Sequence, residues 1–434
     1  MTTNAALKQA LESIEADHDS LIHDLQRMIA VDTCFPPGAG YGAFADLMDE
    51  LVAPLGMETR RVTVPEALWQ TRSGEAYGER INVVARQTGD QEVCSLYFHV
   101  DTVPPGDGWT QPPLQLTEVG GKLIGRGTAD MKGSIASTLA ALRAAQRFNL
   151  PLRYCPSLLL CTDEEGGLYP GIRYLAEQQL VEGHILSFNG GAAPRIWAGC
   201  FGSIDLKITV KGRSSHSGEP VNAINAIEQS LPLLNALHSL KLDVQKRAWP
   251  MPSPPHYNGA PLISRMTLAA AHGGSKGSTV PAQFEILINR RYAPQEPYEQ
   301  VMAELKNCIE SAMADSEALS VEHEVIGHLA PVAEPTGPHW PRWQAALGVG
   351  FGFTPEQFQC YGSSSSSDMG WVQQAGIQEI LLGGLIRPES RIHAADEYTT
   401  RSDLVALAQS ILAYLAADFD SPDSFESPAE SPAD

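Results

Sequence analysis

The chain of 434 residues has few cysteines, few basic residues and no long apolar run. Its seven cysteines are an odd number and form no CxxC pair, which argues against a disulfide framework and a structural zinc knuckle. No run of about 18 apolar residues occurs, and the first residues lack the basic and apolar regions of a signal peptide, so we expect no membrane span and a cytoplasmic location. The formal net charge of -21 disfavours nucleic acid or an anionic membrane as a partner, because a negative surface repels phosphate.

The hydrophobic pattern predicts an α/β fold in which helices flank a mostly parallel sheet. Apolar runs typical of buried strands, at 93–101 and 156–165, alternate with helical patterns at 130–148 and 171–180. From residue 202 apolar and polar residues alternate, and the order strand–helix–strand–strand–helix indicates a separate α+β domain inserted into the larger one. We therefore predict a larger domain at 1–201 and 316–417, an inserted domain at 202–315, and a disordered acidic tail at 418–434.

Histidine and acidic residues end the two apolar runs. His99 and Asp101 close the run at 93–101 and point the same way in a strand, which suits a metal ligand and the carboxylate that orients it. Asp163, Glu164 and Glu165 close the other run, where neighbouring carboxylates raise one another's pKa unless a cation relieves the repulsion. Each motif alone also has an ordinary explanation, since His-x-Asp arises by chance and acidic loops are common.

Asp130 lies between these motifs in GRGTADMKG (125–133), where a loop becomes a helix. Asp is a common helix N-cap, but the flanking glycines suggest a backbone held in the special conformations that sites require. The three motifs fall at the carboxyl ends of predicted strands, where open α/β sheets bind ligands, and His393 can complete the set. Carboxylates and imidazoles without a thiolate suit zinc, manganese or cobalt, and two ions bridged by one carboxylate is a known hydrolytic arrangement.

Eight pieces of the sequence resemble the metallopeptidase family of acetylornithine deacetylase, succinyl-diaminopimelate desuccinylase, glutamate carboxypeptidase and the aminoacylases. Their order and spacing fit over about residues 5–415. The pieces are FHVDTVP (98–104), GW with PP (108–113), GKLIGRGTADMKG (121–133), TDEEGG (162–167), VKGRSSHSGEP with NAI (210–227), VP with INRRYAP (280–294), SSD (366–368) and HAADEY (393–398). The resemblance implies a zinc-peptidase-like catalytic domain and an insert that serves as lid and dimerisation domain.

The resemblance also implies roles for the acidic and histidine residues. His99, oriented by Asp101, would bind a first metal ion, and Asp130 would bridge two ions. Glu165 and His393 would bind the second ion. Glu164 would be the general base that takes a proton from the attacking water and passes it to the leaving nitrogen.

Two further residues take roles from the resemblance alone. His216, in the inserted domain, would stabilise the oxyanion and would reach the site of the partner subunit in a homodimer. Arg291 would bind a substrate carboxylate, for which a guanidinium fork is suited.

Asn189 departs from the family pattern, because the family has Asp or Glu there as a ligand of the first ion. The stretch 183–204 contains no acidic residue, so a small shift of alignment does not restore one. Asn offers a neutral amide oxygen, a poorer zinc ligand than a carboxylate. Three alternatives follow: an enzyme with one tight and one loose or absent ion, an enzyme that uses both ions with Asn189 as a ligand of the first, or a catalytically silent binding homologue.

These features predict a metal-dependent amidohydrolase or deacylase with a small-molecule amide substrate. We expect it to cleave a small N-acyl amino acid or dipeptide-like molecule with a free carboxylate, using a metal-activated water and a Glu general base. Hydrolysis of a ureido or carbamoyl amide on the same scaffold is the alternative. The predicted cofactor is zinc, with cobalt or manganese as alternatives, at one or two ions per chain.

Overall fold

The computed structural model describes residues 3–70 and 76–419, so all of the predicted tail except Asp418 and Phe419 lies outside the described residues. The α-helices are α1 Thr3–Ala16, α2 His18–Ile29, α3 Tyr41–Val52, α4 Glu66–Trp69, α5 Lys132–Arg147, α6 Gly171–Glu177, α7 Ala226–Gln229, α8 Leu231–Val244, α9 Tyr298–Met313, α10 Trp340–Phe351, α11 Met369–Gln374 and α12 Arg401–Ala416. The strands are β1 Glu58–Val64, β2 Arg80–Arg86, β3 Val93–His99, β4 Thr117–Val119, β5 Lys122–Ile124, β6 Cys155–Cys161, β7 His184–Ser187, β8 Arg195–Cys200, β9 Gly202–Lys211, β10 Ala248–Trp249, β11 Leu262–Ile263, β12 Arg265–Gly273, β13 Gln283–Tyr292, β14 Ser320–Leu329, β15 Val332–Ala333, β16 Gln359–Ser363, β17 Ile380–Leu382 and β18 Tyr398–Thr400.

A six-stranded sheet in the order β1-β2-β6-β3-β7-β17 forms the centre of the larger domain. The pairs β6–β3, β3–β7 and β7–β17 are parallel, whereas β1 and β2 join as antiparallel strands at one edge. Every residue of β3 and β6 is buried, as expected for strands covered on both faces. The predicted α/β class and the two buried strands are therefore confirmed.

Helices with small and apolar residues cover this sheet. α5 packs against β3, α12 and α2, and α10 packs against α12. Gly133, in the first turn of α5, lies close against the preceding loop. A Cβ atom at this position would lie 2.2 Å from the carbonyl oxygen of Thr128. The glycine in the Met-Lys-Gly triplet thus lets α5 start directly after the loop that carries Asp130.

The inserted domain is a four-stranded antiparallel sheet in the order β12-β13-β9-β14. β9 and β13 alternate buried and partly buried residues, and their buried side chains share a separate core with α8 and α9. The fourth strand, β14, lies beyond the predicted boundary at 315. We therefore propose that the inserted domain ends after Leu329, while the other domain boundaries stay predictions.

The topology brings several chain segments to one edge of the central sheet. β3 and β6 run parallel, so the residues after His99 and after Cys161 emerge at the same edge, and the loop after β7 emerges beside them. This edge carries the motif of His99 and Asp101 and the motif of the three acidic residues after β6, whereas the motif of Asp130 follows β5, a strand of the separate sheet β18-β5-β4. No helix among residues 3–70 and 76–419 is long and apolar enough to cross a membrane, and the cytoplasmic location stays a prediction.

Candidate metal centre

His99 and Asp101 lie at the carboxyl end of β3, and neither side chain is exposed to solvent. The His99 Nδ1 atom lies 3.0 Å from the backbone oxygen of Asp101, while its Nε2 atom lies 3.0 Å from Asp130 Oδ1. Asp101 Oδ2 accepts a hydrogen bond of 2.9 Å from the backbone N–H of Glu165, and its Oδ1 has no hydrogen-bond partner among the described residues. Burial raises the pKa of Asp101. The hydrogen bond between Asp101 and Glu165 links the carboxyl end of β3 to the loop after β6.

Asp130 stands between two imidazoles. Its Oδ1 faces His99, and its Oδ2 lies 3.4 Å from His393 Nε2. Burial opposes ionisation of this carboxyl, but hydrogen bonds to His393 and His99 outweigh it and lower the pKa of Asp130. A carboxylate with one oxygen toward each histidine has the arrangement that a bridging ligand requires.

Glu397, just before β18, holds the loop that carries Asp130. Its Oε1 accepts from the backbone N–H groups of Ala129 and Asp130, both at 3.0 Å, and its Oε2 accepts from Gly127 N at 2.9 Å. Arg126 donates to the same Oε2 at 2.7 Å. Gly127 has φ +87°, a conformation that glycine adopts without strain. Sequence reasoning did not identify Glu397, although it lies within the HAADEY motif.

The three carboxylates after β6 separate into two environments. Asp163, with φ 64°, accepts from Tyr41 Oη at 2.7 Å and pairs with buried Arg80 at 2.8 Å. Burial raises the pKa of Asp163 to about 6 despite Arg80, and burial also raises the pKa of Glu164 and of Glu165. Asp163 is thus held by Tyr41 and Arg80 and not by the histidines. In contrast, Glu165 Oε2 lies 3.1 Å from His393 Nε2.

Ligand atoms of His99, Asp130 and Glu165 all lie within 4.8 Å of one another. His393, half exposed with φ 61°, completes the cluster, and hydrogen bonds to Asp130 and Glu165 raise its pKa to about 10. Carboxylate and imidazole donors around a site that favours positive charge fit divalent ions such as zinc, manganese or cobalt.

Asn189 follows β7 and lies beside Glu164, with its Nδ2 atom 2.9 Å from Glu164 Oε1. A carboxylate oxygen accepts, so the amide donates to it, and the role of Asn189 as a metal ligand stays a prediction. Asp368, in the SSD motif, is buried nearby and its Oδ2 accepts from Tyr97 Oη, while its Oδ1 has no hydrogen-bond partner in the part of the chain that the structure describes. Burial raises the pKa of Asp368 to about 7. Sequence reasoning did not assign this carboxyl a role.

A cavity of about 330 Å³ opens on the cluster between the two domains. Its lining includes Glu164, Glu165 and His393 from the larger domain and Asp205 and Arg291 from the inserted domain. Arg291 donates to Ser366 Oγ and, at 2.9 Å, to Asn289 Oδ1. The predicted substrate-binding arginine and the predicted base therefore line one cavity.

His216 lies elsewhere, on an exposed loop between β9 and α7. Its Nδ1 atom accepts a hydrogen bond of 3.1 Å from Gly218 N. It is absent from the described residues that line the cavity. Its action in the site of a partner subunit stays a prediction.

Comparison with known proteins agrees with this arrangement. The model of a family described as Peptidase family M20/M25/M40 matches residues 95–417. The chain belongs to this family. A succinyl-diaminopimelate desuccinylase of Acidiphilium cryptum is 29% identical over 343 residues, which are 77% of this chain and 85% of that protein.

Solved structures of family members share the fold. The dipeptidase Dug1p of Saccharomyces cerevisiae superimposes with a TM-score of 0.80 at 16% identity, covering 98% of this chain and 100% of that one. A dinuclear metal-binding peptidase of Bacillus subtilis superimposes with a TM-score of 0.58 at 14% identity. That alignment covers 93% of this chain and 98% of the peptidase. The resemblance stated from the sequence is confirmed, and the chain is a metal-dependent hydrolase of amide bonds.

Proposed function

We propose that this M20/M25/M40 family member hydrolyses the amide bond of a small N-acyl amino acid or dipeptide-like substrate with a free carboxylate. The observation that carries the proposal is the shared cavity, which is lined by Glu164 beside the metal-ligand cluster of the larger domain and by Arg291 of the inserted domain. A guanidinium favours a carboxylate partner, and a volume of about 330 Å³ suits a small molecule.

The metal ligands in this proposal are His99, Asp130, Glu165 and His393, and Asn189 is a further candidate ligand whose amide donates to Glu164. The ions are zinc, with cobalt or manganese as alternatives, and when bound they polarise the scissile carbonyl and increase the acidity of water. Asp101 contributes by holding His99 through its backbone oxygen and the Glu165 loop through its side chain.

Glu164 is the proposed general base. Burial raises its pKa, which increases the basicity of its ionised form, and the Asn189 amide orients the carboxylate. It takes a proton from the attacking water and delivers that proton to the leaving nitrogen. Arg291 fixes the substrate carboxylate, so that the amide carbon faces the ligand cluster.

His216 supplies the remaining polar contact in the proposal, from the partner subunit of a homodimer. Its exposure on the inserted domain supports this role, because an exposed loop is accessible to a second chain. Its imidazole would donate to the carbonyl oxygen as negative charge develops there.

The test is a substrate panel combined with two neighbouring glutamate variants. Zinc-, cobalt- and manganese-loaded protein is assayed with N-acetyl and N-succinyl amino acids, dipeptides and ureido acids. Glu164→Gln is expected to lose at least about 100-fold in kcat while keeping its metal content, because it removes a general base. Glu165→Gln is expected to lose metal.

Three results would contradict the proposal. Full activity in Glu164→Gln would remove the base assignment. Turnover restricted to ureido compounds would favour the alternative substrate class. The absence of turnover with every compound in the panel would contradict the proposed substrate class as a whole.

A further inference from the structure

An acidic side chain of the inserted domain, Asp205 in β9, lines the cavity that also contains Arg291. Its neighbours Ile204 and Leu206 are buried in the core of the inserted domain, so Asp205 lies on the opposite face of the sheet. Arg291 of β13 pairs with Ser203, two positions before Asp205, and therefore lies on that same face. The open face of the inserted sheet thus presents one acidic and one basic side chain to the cavity.

Asn289 connects these two charged side chains. Its Nδ2 atom donates to Asp205 Oδ1 at 2.7 Å, and its Oδ1 atom accepts from Arg291 Nε at 2.9 Å. Because Asn289 pairs with Asp205 between β13 and β9, Arg291 and Asp205 are diagonal neighbours, whose Cβ atoms are typically about 7 Å apart in a sheet. A neutral amide therefore holds the two charged groups side by side without neutralising either.

A glycine in the neighbouring strand leaves space for the Asp205 carboxylate. Gly327 of β14 pairs with Asp205 directly after the shift of register in that strand. A Cβ atom at Gly327 would lie 3.0 Å from Asp205 Oδ2 and 3.4 Å from the backbone oxygen of Gly166. Gly166 belongs to the loop that carries Glu164 and Glu165. Asp205 Oδ2 therefore lies near the loop of the metal centre, at a place that a larger residue at position 327 would crowd.

The charge of Asp205 lacks a compensating cation. Its hydrogen bond comes from the neutral amide of Asn289, and among residues 3–70 and 76–419 no Lys, Arg or His forms an ion pair with this carboxylate. Burial raises the pKa of Asp205 and outweighs the opposing effects of Asn289 and Arg291. Arg291 is itself assigned to the substrate carboxylate. A positively charged group that enters the cavity would supply the opposite charge that Asp205 lacks.

We propose that Asp205 selects substrates that carry a cationic nitrogen in addition to the carboxylate bound by Arg291. The inference rests on the proposed function, in which the α-nitrogen of the amino acid forms the scissile amide. That nitrogen has no positive charge, so the cation lies on the side chain, a few carbon atoms from the carboxylate. The substrate class is then an N-acyl amino acid with a basic side chain.

The test compares substrates that differ in charge. Metal-loaded protein is assayed with N-acetyl and N-succinyl derivatives of lysine and of norleucine, which has the carbon chain of lysine without its ammonium. The kcat/KM for the lysine compounds is expected to be about 10- to 100-fold higher, the range for hydrogen bonds between charged groups. Asp205→Asn keeps an oxygen that accepts from Asn289 and is expected to bring this ratio close to one. Asp315→Asn, at an exposed position of the same domain, is the matched control and is expected to keep the ratio.

Two results of this assay would overturn the inference. One is a ratio near one in the unaltered chain. The other is an unchanged ratio in Asp205→Asn, and an equal loss of kcat/KM with both compounds would then show that Asp205 serves only to position Asn289.

A binding experiment separates failure of this inference from failure of the proposed function. Zinc-loaded Glu164→Gln is expected to bind N-acetyl-lysine about 10- to 100-fold more tightly than N-acetyl-norleucine, and the addition of Asp205→Asn is expected to remove the difference. This preference would support the assignment of Asp205 even if no compound of the panel were hydrolysed. Equal affinities for the two compounds in Glu164→Gln would overturn it.

Discussion

Asn189 is the residue whose chemistry departs most from that of its neighbours. It is neutral, whereas Asp130, Glu164, Glu165 and Asp368 around the centre are acids. Its amide donates to Glu164 at 2.9 Å, so it relieves part of the repulsion that a further carboxylate would add. The same neutrality removes one anionic ligand from the proposed first metal position.

Asn189→Asp is predicted to change metal binding and stability in opposite directions. With chelator present, the variant is expected to melt at a lower temperature than the unaltered chain, since two carboxylates then face each other in a buried place. With zinc present, it is expected to retain more metal per chain after dialysis. Asn149→Asp, on an exposed turn, is the control. An unchanged metal count would show that Asn189 does not occupy a ligand position.

Sequence patterns predicted several residues of the cluster because the end of an apolar run marks the end of a buried strand. His99, Glu164 and Glu165 close apolar runs, and parallel strands bring such ends together. Glu397 was not predicted, because its partners are backbone N–H groups, which every residue type carries. The burial of Asp368 was not predicted either, since its hydrogen bond comes from Tyr97, 271 positions away.

At the scale of elements, the larger domain follows its hydrophobic pattern closely, while one strand of the insert does not. β6 and all of β3 except its last residue, His99, are apolar, aromatic or small, and both are recognised as buried strands. β14, with the sequence SVEHEVIGHL, has a shift of register between Val325 and Gly327, so its alternation is broken midway. A β-bulge of this kind interrupts the period of two on which strand prediction depends.

Glu397 holds the loop 125–130 in place through hydrogen bonds from its backbone N–H groups and from the Arg126 side chain. Glu397→Gln is predicted to weaken zinc binding by about 10- to 100-fold, because an amide cannot accept from all three N–H groups and Arg126 at once. The buried donors left without a partner are expected to lower the free energy of unfolding by about 1–3 kcal/mol.

Zinc titration and urea unfolding measure these two effects of Glu397→Gln. Glu389→Gln, at an exposed position in the same connection, provides the control and is expected to change neither quantity. Unaltered zinc affinity in Glu397→Gln would mean that Asp130 holds its position without this support.

At the scale of the whole molecule, the larger and inserted domains contribute to one cavity, yet His216 is remote from it within the chain. Arg291 reaches the cavity from β13, whereas His216 stands on an exposed loop of the same domain. A homodimer in which each insert serves the other subunit reconciles this position with the proposed oxyanion contact.

Mixing two inactive variants tests that exchange. Glu164→Gln removes the base from its own site, and His216→Asn removes the oxyanion contact from the partner's site. Subunits exchanged at equal amounts are expected to recover about one quarter of unaltered activity, because half of the dimers then contain one intact site of two. A mixture of Glu164→Gln and Glu165→Gln is expected to recover none, since both lesions lie in the chain's own site. Absence of recovery with His216→Asn, in a preparation shown to be dimeric by light scattering, would place the action of His216 within its own chain or remove it from the reaction.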